Sequence, residues 1–517
     1  MRFFAILMLA VVSLHPVRGQ EQTALPGRKG NYKEQHRPQF HFSPERAWMN
    51  DPNGLVYYAG EYHLFYQYYP DSTVWGPMHW GHAVSKNLVH WEHLPVALFP
   101  DSLGCIFSGS VVVDEQNTSG FAPPGHPEKP LVAIFTYHNL EWERAGHLDR
   151  ESQGIAYSLD RGRTWSKYAG NPVLPNKGDV DFRDPKVFWH DQSKHWVMPL
   201  AVGQHLEIFI SPDLKSWQKT SDFGEKEGAH GGVWECPDLF PLKTPDGKEK
   251  WVLIQNIGRG AVAGGSGTQY FIGSFDGKRF KNDNPPETVL WLDYGADNYA
   301  GVTWFNAPGK RRIFIGWMSN WDDYAQTVPT ERWRSAFTVP RILRLGSTNE
   351  GLRLFQEPVT ELKALRKSPR MIESQSIDGA LLLPTSGVQQ EFILEFDLNA
   401  TRAKEFGLIL RNRLGEQVVI GYDREQQVLF VDRTQSGKTA FSSKFPARHN
   451  APLKTGKNLQ LHILADASSV EIFAEKGRIA ITELFFPNED YTQYQLYSRN
   501  GPAQLQKATI YPLKSIW

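Results

Sequence analysis

The chain has 517 residues and a mass of 58.9 kDa, which is long enough for two domains that each bury a hydrophobic core. Hydrophobic residues make up 40% and charged residues 22% without a long biased tract, which excludes a disordered or fibrous protein. Lysine plus arginine and aspartate plus glutamate both number 56, so the formal charge is zero. A chain without a basic field is not expected to bind nucleic acid, and a neutral partner is favoured.

The N-terminus has the pattern of a signal peptide over residues 1–19. One arginine precedes an apolar run from Phe3 to Leu14, and small or polar residues follow as far as Gly19. This run is too short to span a bilayer, and no later segment is long and apolar enough, so we expect no membrane span. The sequence therefore predicts a secreted or periplasmic protein.

Two repeating patterns follow, and the first marks the ends of strands. Four times an apolar strand ends in serine, a polar turn follows, and then a Trp or Phe. The intervals between these serines match the size of a four-stranded propeller blade. The short polar side chains are suited to closing a hairpin turn that the aromatic ring anchors. The serines are Ser85, Ser158, Ser211 and Ser274.

The second pattern marks the first strand of each blade. Five strand starts follow polar or Gly/Pro-rich stretches, near Asn50, Phe107, Arg183, Glu235 and Asn298. Five starts predict five blades, and the first strand of every blade lines the central channel. We therefore expect Asp51, Asp184 and Glu235 to converge at one mouth of the channel.

Beyond about Pro340 the pattern changes to that of a second domain. Residues 357–368 predict a short helical connector, and the rest alternates between apolar and polar residues as the strands of a β-sandwich do. The expected fold is all-β, a five-bladed β-propeller followed by a C-terminal β-sandwich. The predicted ranges are 1–19 for the signal peptide, 20–345 for the propeller, 346–370 for a linker and 371–517 for the sandwich.

Two of the channel carboxylates suit the hydrolysis of a glycosidic bond with retention, which needs an ionised nucleophile and a protonated acid. Asp51 lies in WMNDPNG, where the turn formed by Pro52 and Gly54 offers amides that favour an ionised carboxylate. Glu235 lies in the apolar WECPDLF, which raises the pKa of a carboxyl group. An aspartate before proline is also a common turn former, so spacing alone leaves a structural role open.

The motifs WMNDPNG, FRDP and WECPD, in this order, resemble glycoside hydrolase family 32. That family contains invertases, inulinases, levanases and fructan exohydrolases on a five-bladed propeller followed by a β-sandwich. The resemblance implies Asp51 as nucleophile, Glu235 as acid/base and Asp184 as a stabiliser of the developing charge, with no cofactor and no metal. The implied activity is the release of terminal fructose from β-fructofuranosides such as levan, inulin and sucrose. The implied substrate-binding residues are Asn50, Gln67, Trp75, Phe107, Ser108, Arg183, Tyr299 and Trp317.

Several alternatives stay open. Strings such as WGHAVSKNLVHWEHLPVAL resemble microbial exo-acting levanases and inulinases more than plant invertases, so we expect a fructan exohydrolase, with an invertase as the second choice. The segment SLDRGRTW also matches the repeated box of sialidases, which are propellers too. A non-catalytic sugar-binding propeller and a fructosyl transferase are further alternatives. The sequence predicts neither the oligomeric state nor whether Cys105 and Cys236 form a disulfide bond.

Overall fold

Strands account for nearly all of the regular structure in the computed structural model, which describes residues 32–385 and 387–517. The predicted signal peptide, residues 1–19, lies outside the described residues. Within them, five sheets of the first domain and two sheets of the second contain all paired strands. The five-bladed propeller and the β-sandwich expected from the sequence are confirmed.

Each propeller blade is an antiparallel sheet whose first long strand lies towards the channel. The strands of blade 1 are Ala47–Tyr58, Glu61–Tyr69, His79–Ser85 and Glu92–Leu98, and those of blade 2 are Cys105–Val113, Leu131–His138, Glu151–Ser158 and Ser166–Lys167. Blade 3 contains Phe182–Arg183, Phe188–His190, His195–Val202, His205–Ser211 and Gln218–Phe223. Blade 4 contains Trp234–Lys243, Glu249–Ile257, Gly267–Phe275, Phe280–Asn282 and Leu290–Trp291. Blade 5 contains Tyr299–Thr303, Ile313–Met318, Ala336–Phe337, Arg341–Thr348 and Gly351–Pro358.

The predicted serine turns close the hairpins at the outer edges of the blades. The Ser158 hydroxyl donates to Asp160 at 2.7 Å, and the Trp165 indole donates to the Gly162 carbonyl at 3.1 Å. The corresponding turn of blade 3 pairs Ser211 with Asp213 in the same manner. The segment SLDRGRTW is thus a turn between two strands of blade 2, and it carries no feature of a sialidase site.

The last blade is tied to the first, and this closes the ring. The short strand Trp333–Arg334 pairs in parallel with Ala47 and Trp48 at the start of blade 1. The outermost strand of blade 5 continues to Pro358, because residues 351–358 pair with residues 341–348 along their whole length. This strand occupies the first part of the segment in which the sequence predicted a linker, so the propeller extends beyond residue 345.

The second domain consists of two packed sheets that enclose one apolar core. The connector contains a 3-10 helix, Thr360–Leu365, where the sequence predicted a short helix. One sheet contains Arg370–Ile372, Gln375–Ile377, Gln390–Asp397, Asn458–Ala465, Ser469–Ala474, Ile479–Leu484 and Ala503–Pro512. The other contains Ala380–Leu382, Glu405–Arg411, Gln417–Asp423, Val428–Gln435, Arg448–Pro452 and Gln493–Arg499.

Helices are short throughout the described ranges. The α-helix Leu140–Arg144 follows the second strand of blade 2, and a 3-10 turn covers Pro308–Lys310. Across residues 32–385 and 387–517, no helix has the length and apolar character that crossing a membrane requires. Cys105 and Cys236 are both buried as free thiols.

Candidate active site

Three carboxylates from three blades line one cavity of about 270 Å³ at one mouth of the channel. Asp51 lies on the first strand of blade 1, and Glu235 lies on the first strand of blade 4. Asp184 follows the short strand Phe182–Arg183 of blade 3 and has a positive φ of 65°. The convergence that the repeat pattern predicts is therefore present in the structure.

Asp51 is placed by an irregularity in its strand. The register with the second strand shifts between Met49 and Pro52, which turns the carboxylate towards the cavity. Asn50 donates its side-chain amide to Asp51 Oδ1 at 2.9 Å, and Ser108 donates its hydroxyl to Oδ2 at 2.7 Å. These two donors fix the orientation of the carboxylate, as a nucleophile requires.

Glu235 lies at a matching irregularity in blade 4, where the register shifts between Glu235 and Asp238. Arg183 donates Nε to Glu235 Oε1 at 3.1 Å, and the Tyr299 hydroxyl donates to Oε2. The same guanidinium also donates Nη1 to Glu151 at 3.0 Å and to Asp181 at 2.7 Å. Arg183 therefore orients Glu235 and is itself held by two further carboxylates.

Asp184 is held mainly by the backbone and by the thiol of Cys236. The Cys236 amide donates to Asp184 Oδ2 at 3.0 Å. Cys236 Sγ lies 3.6 Å from Asp184 Oδ2 and 3.6 Å from Asp51 Oδ2, so one thiol contacts both carboxylates. The backbone amide of Asp184 donates to the Thr136 hydroxyl at 3.0 Å. The positive φ of Cys236, 46°, turns its side chain between the two acids.

Burial dominates the titration of the three carboxyl groups. It raises the pKa of Asp51, and the donors Ser108 and Asn50 only partly oppose this. It also raises the pKa of Glu235, against the positive charge of Arg183 and with the negative charge of Asp51. The sequence predicted a contrast in which turn amides keep Asp51 ionised. The structure differs, because burial raises the pKa of both groups.

The largest shift falls on Asp184, whose pKa is raised to about 8 by burial first and by the negative charge of Glu235 next. Besides burial, the negative charges of Glu235 and Asp51 raise the pKa of Asp184 while Arg183 lowers it, so the three acids do not all ionise together near neutral pH. The pKa of Asp184 is higher in the folded protein than the value of about 3.9 in the unfolded chain. The stability that this group contributes is therefore fully present below about pH 3.9 and is lost as the pH rises through about 8.

We expect Asp184→Asn to raise the melting temperature by a few degrees at pH 8 and to change it little at pH 4, because the variant removes a carboxyl group that ionises unfavourably. Turnover should fall by about 10²-fold or more, since the group faces the developing charge. Thermal unfolding across this pH range checks the first part. Glu151→Gln is the control of opposite sign, because Arg183 and His138 lower the pKa of Glu151 to about 2. A melting temperature of Asp184→Asn at or below that of the wild type at pH 8 would contradict the shift.

Most of the sugar-binding residues expected from the resemblance line this cavity. The aromatic walls include Trp75 and Phe107, whose rings meet edge to face with centroids 6.1 Å apart. The Gln67 amide nitrogen is buried without a protein acceptor, which leaves it free to donate to a ligand. The predicted residues on the cavity wall are Asn50, Asp51, Gln67, Trp75, Phe107, Ser108, Arg183, Asp184 and Glu235.

Two predicted residues lie behind the wall. Tyr299 is fully buried and reaches the site through its hydrogen bond to Glu235. Trp317 is fully buried as well, with its ring centroid 5.1 Å from that of Trp321 and 6.4 Å from that of Tyr299. Trp317 does not line the cavity, and Trp321, which packs against it, does so instead.

Six residues of the cavity wall were missed by the sequence analysis. They come from loops, from the short helix Leu140–Arg144 and from the end of a strand, where no periodic pattern points to a channel position. The only available signal was the second tryptophan of GWMSNW, four residues after Trp317. The missed residues are His138, Glu143, Arg150, Asp181, Trp321 and Gln326.

A larger cavity, of about 730 Å³, is lined by a different set of acids, namely Asp114, Glu115, Asp191, Asp238 and Glu249. Its wall contains Asp238, which pairs with the Lys186 ammonium at 3.2 Å, and Asp114, whose oxygens accept from Thr118 and Ser119. Lys186 also donates to the Thr303 carbonyl at 2.6 Å. Asp238 and Asp114 are thus occupied by structural partners.

One group in the described ranges has the spacing of metal ligands, namely His205, Glu207 and Asp222 on blade 3. The Lys219 ammonium lies 2.5 Å from Glu207 and 2.7 Å from Asp222. A cation of the protein itself thus already neutralises these acids.

A propeller with two carboxylates from different blades at one mouth, one of them tied to an arginine, defines the class of glycoside hydrolases. Two family models match the chain, the glycosyl hydrolases family 32 N-terminal domain over residues 41–358 and the family's C-terminal domain over residues 361–512. The chain therefore belongs to glycoside hydrolase family 32.

Known relatives cover nearly the whole chain. The levanase of Bacillus subtilis is 52% identical over 496 residues, which are 94% of this chain and 72% of that protein. The extracellular exo-inulinase of Aspergillus niger is 39% identical over 522 residues, 94% of this chain and 96% of that protein. The crystal structure of the exo-inulinase from Aspergillus awamori superposes with a TM-score of 0.87 at 37% identity and covers 94% of this chain and 100% of its own.

Proposed function

We propose that this glycoside hydrolase releases terminal fructose from β-fructofuranosides, with levan and inulin as main substrates and sucrose as a further one. The observation that carries the proposal is the meeting of Asp51 and Glu235 in one cavity, with Arg183 and Tyr299 on the acid and Ser108 and Asn50 on the nucleophile. The levanase and exo-inulinase relatives support the substrate class.

In the first step the Asp51 carboxylate attacks the anomeric carbon C2 of the terminal fructosyl unit. Glu235 gives its proton to the departing glycosidic oxygen, and the bond from C2 to that oxygen breaks. Because its pKa is raised, Glu235 retains its proton until the glycosidic oxygen departs. Asp184, whose raised pKa favours a protonated carboxyl group near neutral pH, hydrogen-bonds the ring hydroxyls as positive charge develops on the sugar.

In the second step water cleaves the covalent fructosyl-enzyme. Glu235, now ionised, takes a proton from the water, which attacks C2 and releases Asp51. Two inversions give fructose with its original configuration. Arg183 lies within 3.1 Å of Glu235 and stabilises the ionised form between the two steps.

The size of the cavity supports attack on a chain end. A cavity of about 270 Å³ lies just below the range of about 300–1,000 Å³ for small-molecule pockets, which is the scale of one sugar ring. The rest of a fructan chain would then leave through the mouth, where Trp321 and Gln326 lie. A site for a single terminal ring favours the release of fructose one unit at a time.

Chromatography of the products from levan, inulin and sucrose tests this proposal. We expect monomeric fructose as the first and main product from both fructans, with fructose and glucose from sucrose. Relative initial rates then rank the fructan exohydrolase against the invertase alternative. Longer fructo-oligosaccharides as first products would contradict attack on the terminal unit, and fructosylated sugars as main products would favour a transferase.

We also propose that the chain is exported by residues 1–19 and that its activity resides in the propeller, residues 32–358, followed by the connector and the sandwich from residue 370 onwards. The relatives that are named extracellular support export. N-terminal sequencing of protein recovered from the culture medium tests the first part, with Gln20 expected as the first residue.

A further inference from the structure

Backbone hydrogen bonds join the sandwich to the propeller loop that leads to Tyr299. The Tyr294 amide donates to the Ala480 carbonyl at 2.9 Å, and the Asp297 amide donates to the Thr482 carbonyl at 3.2 Å. A Cβ atom on Gly295 would lie 2.1 Å from the Thr482 carbonyl oxygen, so only glycine permits this approach. Residues 293–298 are therefore fixed by a strand of the other domain.

Arg433 of the sandwich is the centre of this contact. Its Nη1 lies 2.6 Å from Asp297 Oδ2 and 2.9 Å from Glu483 Oε2, and its Nη2 donates to the Tyr324 hydroxyl at 2.9 Å. The guanidinium also packs 4.1 Å from the centroid of Phe445. Its side chain is 1% exposed, so these interactions are shielded from solvent and from salt.

The Tyr324 hydroxyl connects a second propeller loop to the same carboxylate. It donates to Asp297 Oδ1 at 2.7 Å while it accepts from Arg433. Tyr324 belongs to the loop at residues 319–332, which contributes Trp321 and Gln326 to the wall of the active-site cavity. Arg433 thus holds two loops, one that ends at Tyr299 and one that carries Trp321.

Stability alone does not account for this cluster. A buried ion pair contributes little more than well-packed apolar side chains of the same volume, because removing the charges from water costs about as much as their attraction returns. What such a group does provide is a fixed geometry, since Arg433, Asp297 and the Tyr324 hydroxyl are all joined to one another by hydrogen bonds. The partners here are the two loops that bound the active site.

We propose that Arg433 is a positioning residue for the active site, which sets Tyr299 against Glu235 and Trp321 against the sugar through Asp297 and Tyr324. The inference rests on the proposed function, and it gives the sandwich a part in catalysis and substrate binding. Without the sandwich, the propeller would still have the catalytic carboxylates, but Tyr299 and Trp321 would not be held in position.

The pH profile of fructose release reports on the contact between Tyr299 and Glu235. Glu235 is faced by Arg183, Asp51, Asp184, Cys236 and Tyr299. The Tyr299 hydrogen bond favours the ionised form of Glu235, so its loss raises the pKa of that group further. The alkaline limb of the rate profile, at which the acid loses its proton, should then move to higher pH.

The test compares Tyr324→Phe with Tyr422→Phe. The first removes only the hydroxyl that joins Arg433, Asp297 and the Trp321 loop. The second removes a hydroxyl that donates to the Leu453 carbonyl at 3.1 Å inside the sandwich, away from the active site. Arg433→Lys is a second test, which keeps the charge but loses the forked donor geometry. The readouts are kcat, KM, the pH profile of fructose release from sucrose and inulin, and the melting temperature.

For Tyr324→Phe we expect kcat/KM to fall by about tenfold, with a higher KM and an alkaline limb displaced to higher pH, because small displacements of positioned groups are costly. Tyr422→Phe should lower the melting temperature by a similar amount and leave the kinetics and the pH profile at wild-type values. Arg433→Lys should change the kinetics in the same direction as Tyr324→Phe.

A Tyr324→Phe enzyme with the kcat/KM and the alkaline limb of the wild type would overturn the proposal, and this variant decides the matter even if Arg433→Lys does not fold. The same wild-type assay separates this outcome from a failure of the proposed function. If the wild type releases no fructose, the function is wrong. If it does and Tyr324→Phe is unchanged, only the positioning role is wrong.

Discussion

Replacing Asp51 with asparagine is expected to lower the turnover of sucrose and inulin by about 10⁴-fold or more, because no other carboxylate of the cavity can form the covalent intermediate. Asparagine keeps the size of the side chain, and its single carbonyl oxygen can accept from one of the two donors, Ser108 or Asn50, which bind different oxygens of the carboxylate. Binding of substrate should therefore survive, and initial rates at saturating substrate measure the loss.

Asp114→Asn is the matched control for this variant. It changes a buried aspartate on the wall of the other cavity, whose oxygens accept from Thr118 and Ser119. We expect its turnover to stay close to that of the wild type. Residual activity of Asp51→Asn within tenfold of this control would contradict the nucleophile assignment.

Replacing Glu235 with alanine should lower turnover of sucrose by about 10²- to 10⁴-fold, which is the range for the loss of one acid/base group. The loss in the first step should be much smaller for a substrate whose leaving group departs without a proton, such as an aryl β-fructofuranoside. Azide, which attacks without a general base, should then restore the second step and give a fructosyl azide of retained configuration.

This pattern distinguishes the acid/base from the nucleophile. Azide should not restore turnover of Asp51→Asn by the same route, because that variant forms no fructosyl-enzyme. An equal loss for sucrose and for the aryl substrate in Glu235→Ala, together with no azide product, would rule out Glu235 as the acid/base.

The sequence was sufficient to predict the elements of the fold, and the reason is that both domains repeat a simple period. Alternation of apolar and polar residues placed the long strands of the sandwich, and the five strand starts predicted the five blades. The short strand Gly351–Pro358 was mistaken for part of a linker, because its apolar positions are few and its half-buried pattern resembles a loop.

Within the active site, the repeat predicted channel residues on first strands, the resemblance supplied Trp75 and Asp184 on loops, and Trp321 and Gln326 were missed. Asp51 and Glu235 head strands that must line the channel, so their position follows from the repeat. Trp321 and Gln326 reach the cavity from a loop whose path is set by Tyr324 and Arg433, and contacts between residues so far apart leave no local signal. Trp317 was chosen in place of Trp321 for this reason.

The predicted difference in pKa between Asp51 and Glu235 was wrong, because the pKa of each group depends on how deeply it is buried. The side-chain donors to Asp51 are Asn50 and Ser108 rather than the amides of the turn, and desolvation of the half-buried carboxylate outweighs them. Burial depends on how the blades meet around the channel, which neighbouring residues do not reveal. The residue with the largest shift is Asp184, for which the sequence offered a role through the resemblance alone.

Methanolysis tests the central claim most directly, which is that Asp51 and Glu235 act on one sugar from opposite sides in two displacements. With sucrose as donor and methanol present, the account predicts methyl β-fructofuranoside as the early product by NMR, and rapid quenching should show the peptide that contains Asp51 heavier by one fructosyl unit. Methyl α-fructofuranoside without any fructosyl adduct would contradict it.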